Sequence, residues 1–76
     1  MESRRMFHIC ERINEEIRGE KGYYSRLATD LNEEEQGFYE RVKKQMVEEN
    51  EKVRKFCEEN GYTFRPVLIP PVELDW

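Results

Sequence analysis

The amino-acid sequence predicts an all-α fold: an antiparallel helical hairpin over residues 1–61, then an extended, proline-rich arm over residues 62–76. Three observations predict it. Apolar residues recur at steps of three and four along two stretches, the period of a helix face. Asn32 followed by Glu35 resembles a capping box, and Asn60-Gly61 is a left-handed helix stop. Pro66, Pro70 and Pro71 exclude helix from the last stretch and favour extended or polyproline backbone.

Helix one is expected from near Ser3 to about Asp30. Its apolar stripe reads Met6, Cys10, Ile13, Ile17, then Tyr24, Leu27 and Leu31. The gap in that stripe is filled in register by Glu20, so the seam is continuous with a carboxylate at one inward position. Gly19 and Gly22 flank Glu20 and make the middle of this helix its soft point, each costing about 1 kcal/mol relative to Ala. Helix two is expected from about Glu33 to Glu59, roughly 40 Å long at 1.5 Å per residue. Glu33, Glu34 and Glu35 suit its positive N-terminal end. Its stripe reads Phe38, Val42, Gln45 or Met46, Glu49, Val53 and Phe56. A connection of a few residues implies that the two helices are antiparallel neighbours. The arm from Tyr62 to Trp76 is the most apolar part of the chain, so it is read as lying along a groove, on its own chain or on a partner.

Of the 76 residues, 37% are hydrophobic and 39% are charged, a mix suited to long solvated helices and poor for a self-sufficient core. Oligomerisation is the expected remedy, because Cys10 and Cys57 are too few for a disulfide scaffold and read as reduced core thiols. Two hairpins are therefore expected to complete a four-helix bundle as a homo-dimer or higher homo-oligomer. The residues expected at that interface are Ile13, Ile17, Tyr24 and Leu27 on helix one, Phe38, Val42, Val53 and Phe56 on helix two, and Leu68, Ile69, Leu74 and Trp76 in the arm. The formal net charge of −4 argues against a nucleic-acid partner, since a phosphate backbone demands clustered Lys and Arg. The basic residues Lys43, Lys44, Lys52, Arg54 and Lys55 alternate with glutamates and read as a salt-bridged, solvated face. No stretch approaches the roughly 20 apolar residues of a membrane span, and the N-terminus does not read as a signal peptide; a cytoplasmic location is expected.

Glu20 followed by Tyr24-Ser25-Arg26-Leu27-Ala28, with Phe38 and Glu48-Glu49-Asn50-Glu51-Lys52-Val53 on the second helix, resembles a ferritin-like or rubrerythrin-like half-bundle. The resemblance spans roughly residues 11 to 57. It implies that Glu20 matches the first-helix metal ligand and Glu49 the Glu of Glu-x-x-His, with iron as the cofactor of the paired halves. Lys52 stands where that motif has its histidine, and a protonated lysine does not ligate iron. The residues themselves suggest instead that Lys52 neutralises Glu49 in a buried ion pair, with no cofactor.

No glycine-rich phosphate loop, CxxC pair or Ser/His/Asp arrangement is present, and His8, the one histidine, lies off the apolar seam. The sequence therefore favours a non-catalytic protein–protein interaction or assembly protein, a self-associating helical hairpin. The alternatives are an iron-binding ferritin-like protein or a degenerate relative of one, and a small inhibitor of a host or partner protein.

Overall fold

The structure is a computed structural model that describes residues 2–70. Leu74 and Trp76, expected at an interface, lie outside the described residues. The described chain is all-helical: α1 spans Ser3–Arg18, α2 spans Tyr23–Leu27 and α3 spans Glu33–Asn60. A segment without regular secondary structure follows α3 as far as Pro70.

The expected first helix is two helices. α1 stops at Arg18 because Gly19 adopts the left-handed conformation (φ 76°), which a residue with a Cβ enters at a cost of about 1–2 kcal/mol. The Gly19 and Glu20 N–H groups then turn back onto the Glu16 and Glu15 carbonyls at 3.1 and 2.9 Å, satisfying the end of the helix. Past this break the chain reverses and runs back along α1. Arg12 donates from Nη1 to the Ala28 carbonyl, and Arg5 lies 3.8 Å from Asp30.

α3 starts as its sequence dictates. The Asn32 side chain accepts from the Glu35 N–H at 2.8 Å, and the Glu35 carboxylate accepts from the Asn32 N–H at 3.0 Å. Arg5 adds an ion pair to Glu35 at 2.7 Å, so the start of α3 sits beside the start of α1. Further along, Glu16 accepts from the Tyr39 hydroxyl at 2.6 Å and meets Lys43 at 3.2 Å. Residues increasing along α1 thus meet residues increasing along α3. The two long helices run in the same direction, which corrects the antiparallel hairpin. The error came from the connection: it comprises residues 19–32, long enough to return the chain to its starting end, and not a few residues beyond Asp30.

The core lies between α1, the returning segment and α3. Ile9, Ile13 and Ala28 are fully buried and Tyr39 largely so, and Ile17, Leu31, Phe38, Val42, Met46 and Ile69 pack around them. Arg12 lies over the Tyr39 ring, 4.5 Å from its centre, and closes the edge of this core with a cation–π contact. Cys10 and Cys57 are both buried free thiols. Ile13, expected between chains, is covered by its own chain; Leu27 and Phe56 are exposed, and Tyr24 is half-buried. Among the described residues no helix is long and apolar enough to cross a membrane.

Candidate functional site

The inward face of α3 determines the site. Glu35, Tyr39, Val42, Met46, Asn50, Val53 and Cys57 follow one another at steps of three and four, and all are buried or half-buried. One of these positions carries an asparagine. On α1 a second asparagine, Asn14, is buried at 3% exposure next to Ile13. A buried side-chain amide is costly unless its donor and acceptor are both used. Here both amides are used on the same partner, the extended segment after α3.

Asn50 accepts from the Val67 N–H at 2.7 Å and donates to the Val67 carbonyl at 3.0 Å. It also donates to the Met46 carbonyl at 2.8 Å, which fixes its orientation on the helix. Asn14 accepts from the Ile69 N–H at 2.7 Å and donates to the Ile69 carbonyl at 3.1 Å. In an extended chain residues two apart present their N–H and C=O on one edge. The two amides therefore grip one edge of the segment at alternate residues, one from each long helix. Each mimics a neighbouring β-strand, with one donor and one acceptor per gripped residue. Pro66 and Pro70 bracket the gripped residues, restrict φ and remove two N–H groups that would otherwise need partners. Ile69 adds its side chain to the core.

The buried and half-buried carboxylates are paired among the helices and the loops between them. The Glu15 carboxylate is buried and accepts from the Ser25 N–H at 2.7 Å, the Ser25 hydroxyl at 2.9 Å and the Tyr24 N–H at 3.3 Å. Burial alone would raise its pKa; the Ser25 and Tyr24 donors, with Arg18, hold it below the usual carboxylate value. Gly22 lies so close that a Cβ there would stand 2.1 Å from Glu15 Oε2. Glu16 shows the same balance: burial opposes ionisation, and Tyr39, Arg12 and Lys43 more than offset it. At the start of α3, the Arg5 guanidinium and the Asn32 N–H hold Glu35 below its ordinary value. Lys43 is correspondingly raised by Tyr39 and Glu16.

The carboxylates singled out from the sequence lie elsewhere. Glu20 is exposed beyond the end of α1, 3.1 Å from Arg18, because the helix that would have turned it inward stops at residue 18. Glu49 and Lys52 are both exposed on α3, and no ion pair joins them, so the buried Glu49–Lys52 pair is corrected. The inward position belongs to Asn50, one residue after Glu49. Among the described residues no three His, Cys, Asp or Glu side chains are placed to hold a metal ion together. His8 lies against Tyr24, ring centres 5.6 Å apart, with its Nδ1 buried and without a hydrogen-bond partner.

Sequence reasoning missed Asn14 and Asn50. The available signal was an amide at an inward position of an otherwise apolar helix face. No family model matches the chain, and no curated protein or solved structure matches it.

Proposed function

We propose that the chain is a small, non-catalytic protein–protein interaction and assembly protein. Its working surface is the groove between α1 and α3, which takes an extended apolar segment by its main chain. The observation that carries this reading is the pair of buried amides, Asn50 on Val67 and Asn14 on Ile69. Side chains that bond N–H and C=O together recognise a peptide backbone much as a sheet edge does in strand-addition recognition, where the edge's own main chain makes those bonds. The reading routes nothing through a metal: Glu20 and Glu49 are both exposed.

Self-association completes the proposal. Tyr23, Val47, Phe56 and Tyr62 stay more than half exposed, at 63%, 52%, 56% and 64%, while few side chains among the described residues are fully buried. Covering them is what a second copy would do. Light scattering on the eluting peak tests it. A mass above the 9.3 kDa of one chain is expected at tens to hundreds of micromolar, a range set by roughly micromolar affinity. One-chain mass throughout that range would refute self-association.

A further inference from the structure

The groove does not depend on which chain supplies the gripped segment, and the way the segment reaches it is tight. α3 extends ten residues beyond Asn50, about 15 Å at 1.5 Å per residue. The tail must reverse at Gly61 and return that distance to place Val67 beside Asn50. From Gly61 to Val67 is roughly six residues, which reach at most about 20 Å when fully extended. Little slack remains for the reversal and for crossing from the end of the helix to the groove. The reversal itself depends on Gly61 holding the left-handed conformation (φ 71°) with the Tyr62 N–H bonded to the Cys57 carbonyl. Beside this hinge the Phe56 and Tyr62 rings lie 5.9 Å apart, both largely exposed.

We infer that residues 66–70 exchange between two copies, each tail docking in the α1–α3 groove of the other, with residues 61–65 as the hinge. The inference rests on the reading of that groove as the working surface. A short, nearly taut hinge is the condition that favours such exchange, because opening it relieves the reversal while the partner restores every lost contact. In the exchanged dimer Asn50 still pairs with Val67 and Asn14 with Ile69, now across chains. The arrangement is two-fold and closed, so it does not propagate into fibres. Docking within one chain is favoured by an effective concentration of order millimolar for a relaxed linker, and a taut linker lowers it. Hinge length therefore sets the concentration at which the dimer forms.

The test compares three full-length chains: the natural one, one with Gly-Ser-Gly-Ser inserted after Thr63, and one with Thr63 deleted. Mass is read by light scattering across concentration, and the amides of Val67 and Ile69 are followed by hydrogen exchange. Insertion is expected to raise the concentration at half-dimer by about tenfold, and deletion to lower it by about tenfold, as linker effects on effective concentration predict. Val67 and Ile69 are expected to stay protected in all three chains. An equal dimer fraction in all three would overturn the exchange while leaving an assembly through an outer face. A one-chain mass for the deletion variant, with Val67 and Ile69 unprotected, would also overturn it. Unprotected Val67 and Ile69 in the natural chain would instead defeat the groove reading on which the exchange rests.

Discussion

Replacing Asn14 by alanine removes both hydrogen bonds to Ile69 at once, and the structure sets the expected size of the effect. Val67, Leu68 and Ile69 are each about half-buried, which contributes about 1 kcal/mol apiece. The four bonds from Asn14 and Asn50 contribute about 1 kcal/mol each net. Ordering the three non-proline residues costs about 1.5 kcal/mol each, and the flanking prolines cost less because their φ is already restricted. The docked tail is thus stable by only about 2–3 kcal/mol, and the loss of either asparagine consumes most of that margin. Asn14→Ala and Asn50→Ala should each destabilise by about 2 kcal/mol, a fall in Tm of roughly 10 °C for a domain of this size. The double variant should add less than about 1 kcal/mol more, because a tail already released has nothing further to lose. Asn50→Asp should cost at least as much as Asn50→Ala: it keeps the acceptor for the Val67 N–H but sets a carboxylate against the Val67 and Met46 carbonyls. The assay is thermal melting by circular dichroism, joined to hydrogen exchange at Val67 and Ile69. Two additive losses of about 2 kcal/mol each, or protected Val67 and Ile69 amides in the double variant, would refute the reasoning.

Three further outcomes follow from the same geometry. Gly22→Ala should destabilise by about 1–3 kcal/mol, because the new Cβ displaces the Glu15 carboxylate from the Ser25 and Tyr24 donors; a melt within about 0.3 kcal/mol of the natural chain would contradict this. Glu15, Glu16 and Glu35 are all held below their ordinary values, so their contribution is present above the ordinary value of about pH 4.3 and is lost as pH falls through the lowered folded values; denaturation midpoints measured from pH 6 to pH 2 should fall across that window, and Tyr24 and Ser25 should lose exchange protection within it. Ile13→Ala should cost about 2–5 kcal/mol as a buried large-to-small change, whereas Lys52→Ala, on an exposed face, should stay within about 0.5 kcal/mol; equal effects in urea titrations would show that the core is misplaced.

What the sequence discloses is what local chemistry decides. The start of α3 is legible because Asn32 and Glu35 satisfy each other within one turn, and its end because Gly61 takes a conformation that few other residues accept. The split of the first helix was less legible. A glycine costs about 1 kcal/mol in a helix, which does not by itself end one. The deciding contacts are between residues nine and ten apart, where the Glu15 carboxylate captures the Tyr24 and Ser25 N–H groups at the start of α2. Once α1 ends at Arg18, the in-register position of Glu20 has no helix to express it. The direction of α3 relative to α1 then depends on how far residues 19–32 travel back, which no period in the sequence records.

The gripping residues were hidden by a step of one. Taken through Gln45, the α3 stripe reaches Glu49; taken through Met46, it reaches Asn50, with Val53 and Cys57 in phase beyond it. The physical difference between the two is large. A carboxylate accepts but does not donate, so on an extended chain it would satisfy the N–H and repel the carbonyl beside it. An amide offers one of each at the spacing of a peptide group, which lets a helix side chain stand in for a neighbouring strand. Two such amides, one per helix, also hold the helices to a common guest, because Val67 and Ile69 belong to one short rigid segment between two prolines. The groove thus asks two things of whatever fills it: an extended main chain free of proline at the gripped positions, and an apolar side chain where Ile69 enters the core. The chain's own tail meets both conditions, and an identical tail from a second copy meets them equally.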